Sequence, residues 1–195
     1  MTRIIAGSAR GRRLIVPKNG TRPTADRVRE SLFSSLGSQL GSWQGLAILD
    51  LFAGSGAFGL EAISRGAASV VLVESDREAA ETCRRNAKTV GADSAEVVQA
   101  DVSKWLVADA TGAFDVVFAD PPYVLSDDQA DAIAGALVAY SWLAPEAIVA
   151  FERPRSAGQI SWPDGFADIT NKIFGDTEIQ RAVWYGQNAS KAIRG

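Results

Sequence analysis

Histidine is absent from this 195-residue chain, and cysteine and methionine occur once each. Without an imidazole there is no histidine base and no histidine metal ligand. The lone thiol, Cys83, can form neither an intramolecular disulfide nor a zinc cluster. It falls in a helix-like stretch from Arg77 to Val90 and reads as a packed helix residue. No convincing metal-ligand cluster remains, so the expected metal content is none. Long hydrophobic runs are also missing: no stretch approaches transmembrane length, and the arginine-bearing N-terminus has no apolar h-region. A soluble cytoplasmic protein is expected. An excess of positive charge is absent too, since the formal net charge is −3, which at face value argues against a nucleic-acid partner.

The distribution of charge reverses that argument. Residues 1–30 hold Arg3, Arg10, Arg12, Arg13, Lys18, Arg22, Arg27 and Arg29 against only Asp26 and Glu30, so this segment is +6 and the remainder −9. Such asymmetry describes a polyanion-binding arm on an acidic body. At 47% apolar residues the chain can build one core and one domain. A monomer is the simplest expectation.

The arm reads as a hairpin, roughly 2–6 paired with 12–16, turning at Gly7, Ser8 and Gly11. A glycine- and proline-rich loop follows from Pro17 to Pro23. Thr24 is a candidate N-cap for a helix to about Leu36, with Val28, Leu32 and Leu36 at spacing four. Strands are then expected near 46–51, 69–74, 95–99, 114–119 and 146–151, with helical segments between. This alternation predicts an α/β fold with a mostly parallel sheet covered by helices on both faces. Two strand-like runs over about 166–185, joined near Gly175-Asp176, add an antiparallel pair. Residues 1–23 are thus read as arm and loop, 24–187 as the domain, and 188–195 as a frayed end.

Two motifs carry the chemistry. Asp120-Pro121-Pro122-Tyr123 ends the apolar run Phe114 to Ala119. Its prolines fix two φ angles and remove two backbone donors, leaving a stiff loop whose carbonyls are free to accept. An exocyclic amine has two hydrogens to donate, and the Asp120 carboxylate and Pro121 carbonyl can hold both while Tyr123 stacks on the ring. Upstream, Gly54-Ser55-Gly56-Ala57-Phe58-Gly59 fits G-x-G-x-x-G between a strand and a helix. Glu74, ending the next apolar run about 20 residues on, stands where an acidic residue binds ribose hydroxyls. A nicotinamide dinucleotide would need donors for its pyrophosphate. S-adenosylmethionine has no phosphate, carries an ammonium, and favours an acidic residue at the loop, such as Asp50. Asp101 is positioned after its strand to accept from an adenine amino group, or to cap the helix that follows.

In this order and spacing the motifs resemble a Rossmann-like class I methyltransferase of the amino-methylating type, whose sheet has seven strands. Arg3-Ile4-Ile5-Ala6-Gly7, Gly11-Arg12-Arg13-Leu14 and the run from Thr21 to Phe33 resemble the RsmD family, a likeness that extends from about residue 2 to 186 and takes in Phe151-Glu152-Arg153. The resemblance implies S-adenosylmethionine-dependent methylation of the N2-amino group of one guanine in 16S ribosomal RNA, within an assembled or assembling small subunit. It implies a catalytic set of Asp120, Pro121, Pro122 and Tyr123. The implied cofactor set is Asp50, Phe52, Ala53, Gly54, Ser55, Gly56, Glu74, Ser75, Asp101, Val102 and Asp120. The implied RNA contacts are Arg3, Arg10, Arg12, Arg13, Arg22 and Arg27; by the resemblance Arg22, Thr24 and Arg27 line the cofactor or substrate cleft, and they read equally well as a loop-to-helix junction with an exposed basic face. Phe151-Glu152-Arg153 is placed after the fifth strand, where it could contact the base or Arg22, or where Glu152 could make an ion pair. A cytosine C5 mechanism is disfavoured, because Asp120-Pro121-Pro122-Tyr123 contains no cysteine. The competing readings are a DNA adenine-N6 methyltransferase, a dinucleotide-dependent oxidoreductase and a non-catalytic RNA-binding protein.

Overall fold

A computed structural model describes residues 2–17, 25–108, 110 and 112–186. The fold is mixed α/β: a seven-stranded, mostly parallel sheet and a separate two-stranded antiparallel sheet. The chain divides into two compact units at Asp101.

The first unit begins with β1 (Thr2–Arg3) and β2 (Arg13–Leu14), followed by α1 (Ala25–Leu40). It continues with β3 (Ala47–Leu51), α2 (Ala57–Ser64), β4 (Ser69–Glu74), α3 (Arg77–Val90) and β5 (Ala95–Gln99). Strands β3, β4 and β5 pair in parallel, Leu49 opposite Val71 and Val71 opposite Glu96. The apolar runs behave as expected of a sheet covered on both faces: Ile48, Leu49, Leu51, Val70, Leu72 and Val73 are fully buried. Helix α1 buries Val28, Leu32 and Leu36, the stripe its spacing predicts, and Phe33 packs between Trp43 and Phe58 at centroid distances of 4.8 and 4.7 Å. It runs one turn beyond Leu36, through Gly37, and stops before Gly41, whose φ is 70°. Thr24, its candidate cap, lies outside the described residues. Helix α3 has the predicted bounds, fixed by the Asp76 side chain accepting from Ala79 N–H at 2.8 Å and by left-handed Gly91.

The hairpin is shorter than the sequence suggests, pairing only Thr2 with Leu14 and Arg3 with Arg13. The reason is competition from the body. Ile5 and Ala6 give their N–H groups to the Glu61 carboxylate of α2 at 2.7 and 3.0 Å. Ala9 N–H goes to Ser64 Oγ, and Ile15 bonds through both N–H and C=O to the Asn86 amide of α3. Gly7 makes the closest approach: a Cβ there would stand 1.7 Å from the Ser64 carbonyl oxygen.

The second unit comprises α4 (Val102–Leu106), β6 (Phe114–Ala119), α5 (Asp127–Ala139), β7 (Leu143–Pro154), β8 (Phe166–Phe174) and β9 (Thr177–Trp184). Strand β6 pairs in parallel with β7, and β9 lies antiparallel between β7 and β8. Across the seven strands the order is β5-β4-β3-β6-β7-β9-β8. Strand β7 outruns its expected span because β9 pairs along it from Ile148 to Pro154. Phe151-Glu152-Arg153 therefore lies within a strand, opposite Gln180, Ile179 and Glu178, and not beyond its end. Trp142 anchors the start of β7, its Nε1–H donating to the Leu106 carbonyl at 2.9 Å. Strand β8 is largely exposed and bulged between Ala167 and Thr170, where Asp168 has a φ of 52°. Such a break blunts the edge against pairing with another chain.

Candidate active site

In the first unit, the chain leaves β3 through three left-handed residues, Phe52 (φ 59°), Gly54 (φ 56°) and Gly56 (φ 73°). For Phe52, which carries a Cβ, this is a strained conformation. The turn is held from every side. Ala53 N–H reaches back to the Val73 carbonyl of β4, and Gly54 N–H donates to Glu74 Oε2 at 2.8 Å. The Gly54 carbonyl accepts from Cys83 Sγ at 3.2 Å, and the Ser55 carbonyl from Asn86 Nδ2 at 2.8 Å. The third glycine allows α2 to lie on the sheet: a Cβ at Gly59 would meet Leu72 Cδ2 at 2.5 Å and Val70 Cγ2 at 2.6 Å. The buried Asp50 carboxylate accepts from Gly59 N–H at 2.9 Å, so it fastens the start of α2.

Glu74 ends β4 with both oxygens engaged, Oε2 by Gly54 and Oε1 by Asp76 N–H at 2.8 Å and Ser75 Oγ at 3.4 Å. A carboxylate offers about four lone-pair positions, so this one is oriented and not exhausted. Asp101 is exposed just after β5, where Ala100 N–H bonds the Glu74 carbonyl at 3.0 Å, and Val102 is buried. Gly54 faces open space: a Cβ there would have only the Phe52 carbonyl oxygen within reach, at 4.0 Å. Burial, reinforced by Asp50 and Glu74, pushes the Cys83 thiol well above its ordinary pKa of 9.0. It is a neutral donor to the loop, consistent with its reading as a packed residue.

In the second unit, β6 delivers Asp120 exposed, Pro121 buried, and Pro122 and Tyr123 exposed. Leu125 N–H closes a turn onto the Pro122 carbonyl at 2.9 Å, and a capping box between Ser126 and Gln129 starts α5 directly afterwards. The Tyr123 hydroxyl lies 3.3 Å from the buried Thr177 Oγ1, which fixes the ring by its tip and leaves it 45% exposed. Arg153 is buried on β7 and reaches the far side of the same loop, bonding the Leu125 carbonyl at 3.4 Å and Asp127 Oδ1 at 2.5 Å. Asp127 also accepts from Gly158 N–H at 3.1 Å.

Of the arm's arginines, Arg3, Arg10, Arg12 and Arg13 are exposed, as is Arg27 on α1. Arg22 lies outside the described residues. Three supporting residues escaped the sequence reading: Glu61, Asn86 and the structural use of Arg153. Each left a signal. Glu61 is the lone charge in the apolar α2, and Asn86 interrupts the stripe Ala79, Cys83, Asn86, Val90 that α3 buries.

The chain is also similar to known proteins over most of its length. The family model described as "Conserved hypothetical protein 95" matches residues 2–183. The Escherichia coli K12 protein named ribosomal RNA small subunit methyltransferase D is 38% identical over 97% of this chain and 93% of its own. The Haemophilus influenzae protein of the same name is 35% identical over 89% of each. The solved structure of Escherichia coli yhhF superposes with a TM-score of 0.83 at 35% identity, covering 95% of this chain and 99% of that one. With a family model matched over residues 2–183 and a relative 38% identical over nearly its whole length, this chain belongs to the RsmD family.

Proposed function

We propose that this protein transfers the methyl group of S-adenosylmethionine to the exocyclic N2-amino group of a guanine in small-subunit ribosomal RNA. The observation that carries the reading is the loop after β6: an exposed carboxylate, a donor-free proline backbone and an aromatic ring fixed at its tip. Supporting it are the relatives named as ribosomal RNA small subunit methyltransferases.

The residues of the first unit fit the cofactor. Gly54 leaves open the space a side chain would fill, Glu74 keeps acceptor positions for ribose hydroxyls, and the exposed Asp101 carboxylate stands where an adenine amino group would donate. Phe52, Ala53, Ser55, Gly56 and Ser75 shape the rest of the cradle, and Asp50 holds it against α2. When bound, S-adenosylmethionine supplies an electrophilic methyl on a sulfonium. The protein's share of the work lies with the nucleophile. The guanine amine is a poor one, because its lone pair is delocalised into the ring. Asp120 and the Pro121 carbonyl accept its two N–H groups and polarise the nitrogen toward tetrahedral geometry, while Tyr123 stacks on the unstacked base. Holding the amine nitrogen in line with the methyl group that S-adenosylmethionine would supply would account for much of the acceleration. The N–C bond forms as the C–S bond breaks, and the surplus proton leaves the nitrogen after transfer. Asp120, or water beside it, receives that proton, and no covalent enzyme intermediate is needed.

The test is transfer of labelled methyl to unmodified small subunits, naked ribosomal RNA and duplex DNA in parallel, with product nucleosides identified by mass. N2-methylguanosine from a ribosomal substrate, reduced at least about a hundredfold by Asp120→Ala, is the expected result. Methyladenine from DNA would overturn the substrate, and full activity of Asp120→Ala would overturn the mechanism.

A further inference from the structure

Five of the arginines near the N-terminus divide into two groups. Arg12 is committed to the fold, its guanidinium donating to the Thr89 carbonyl of α3. Arg29 is buried and donates to the Arg3 carbonyl at 2.7 Å, fixing β1 against α1. Arg3, Arg10 and Arg27 are exposed, with no carboxylate at ion-pair distance among the described residues. These three line a single cavity of about 370 Å³ between the hairpin and α1, and among the described residues Glu30 is the one acidic group on its wall.

The cavity is built before any ligand arrives. The Arg29 bond sets β1, and Gly11 N–H closes the turn onto the Ile4 carbonyl at 2.9 Å. At the rim, a Cβ on Gly11 would touch nothing within 4 Å, so a ligand's backbone can approach closely there. Three guanidiniums gathered around one carboxylate keep a net positive charge, and an anion between them relieves their mutual repulsion. Their planar forks match the two unbridged oxygens of a phosphodiester. Glu30 has no use for a phosphate. It is an acceptor, and the matching donor on a polynucleotide is the ribose 2′-hydroxyl, the group that separates RNA from DNA. We propose that this cavity holds one backbone nucleotide of the RNA, its phosphodiester on Arg3, Arg10 and Arg27 and its 2′-hydroxyl on Glu30. As an RNA site it rests on the ribosomal RNA reading above; as a nucleotide site it stands on the cavity alone.

The test uses the full chain with Arg10→Gln and Arg27→Gln combined. The control is Arg85→Gln with Lys88→Gln, which removes the same charge from the exposed face of α3. Ribosomal RNA affinity is measured across salt concentrations, and adenosine 3′,5′-bisphosphate and its 2′-deoxy form are titrated by calorimetry. The cavity pair should weaken RNA binding about tenfold and lower the salt slope by about 0.7, one phosphate's share, with S-adenosylmethionine affinity unchanged. It should also abolish bisphosphate binding, and Glu30→Gln should erase the preference for the ribo form. Equal losses in the cavity and control pairs would overturn the proposal in favour of a diffuse field. So would bisphosphate binding that survives Arg10→Gln with Arg27→Gln. Bisphosphate binding that depends on Arg10 and Arg27, with no ribosomal RNA bound or methylated, would refute the ribosomal reading and leave the nucleotide site standing.

Discussion

Glu61→Gln isolates what fastens the hairpin to the body. The native carboxylate is fully buried and serves three donors: Ile5 N–H on Oε2 at 2.7 Å, Ala6 N–H on Oε1 at 3.0 Å, and Arg65 Nε on Oε1 at 2.8 Å. Glutamine keeps the volume and leaves no cavity. With its carbonyl in the Oε1 position it retains Ala6 and Arg65 and turns an NH₂ group toward the Ile5 N–H, donor against donor. Stranding that donor costs about 1–3 kcal/mol. The two surviving bonds lose their charge assistance, and Arg65, 20% exposed, recovers part of its share from water. The expected loss is about 2–3 kcal/mol, or roughly 5–10 °C in Tm for a chain of this length. Hydrogen exchange gives the local readout: protection at Ile5 and Ala6 should fall at least about tenfold, while Leu49 and Val71 in the sheet change only with global stability. A loss under about 0.5 kcal/mol with unchanged exchange at Ile5 and Ala6 would refute the reasoning.

Gly59→Ala pushes a methyl into Leu72 and Val70 and should cost about 1–3 kcal/mol, measured by urea unfolding; a neutral result would mean that α2 is free to lift from the sheet. Asp127→Asn strips the buried Arg153 of its carboxylate. Because Asp127 is 54% exposed, the expected stability loss is only about 1–2 kcal/mol. Methyl transfer should slow with S-adenosylmethionine affinity unchanged, and an unaltered kcat would remove Arg153 from the positioning of the loop. Cys83 should resist thiol reagents at pH 8 until the chain unfolds, since burial raises its pKa. Above the thiol's ordinary value of 9.0 the unfolded chain ionises there while the folded one keeps its proton, so stability falls as pH rises. Cys83→Ala should flatten that part of the slope, and wild-type and variant curves of equal slope would refute the cause.

What the sequence made legible was local. The apolar runs ending in Leu51, Glu74 and Ala119 are buried parallel strands, and such strands announce themselves as continuous hydrophobic stretches; the run ending in Gln99 is a half-exposed edge strand, broken by Glu96. The bounds of α3 were readable because Asp76 and Gly91 act on their own helix. The glycine loop was readable because its turn, its close packing and its acidic partner Glu74 recur at fixed spacing. Hidden features depended on partners remote in the chain. The hairpin stops at two pairs because Glu61, 56 residues from Ile5, claims the donors that a longer ladder would use. Asn86 ties Ile15 to Ser55 across separations of 71 and 31 residues. Strand β7 runs on past the expected end only because β9 returns beside it, so Arg153, a rim residue by position, is interior by pairing.

The docking of the hairpin has a consequence for how this protein chooses what it modifies. With Glu61, Ser64 and Asn86 holding its backbone, the basic segment is a mould, unable to wrap a partner as a loose tail would. Its ordering entropy is spent during folding, so the entropy lost on association falls on the other molecule. A polynucleotide free to sample many shapes surrenders most of them to fit a mould. One whose shape is already imposed by its neighbours surrenders little and binds more tightly through the same contacts. The docked hairpin is therefore expected to bind folded ribosomal RNA more tightly than the same RNA unfolded, and affinities measured for the two forms would check it.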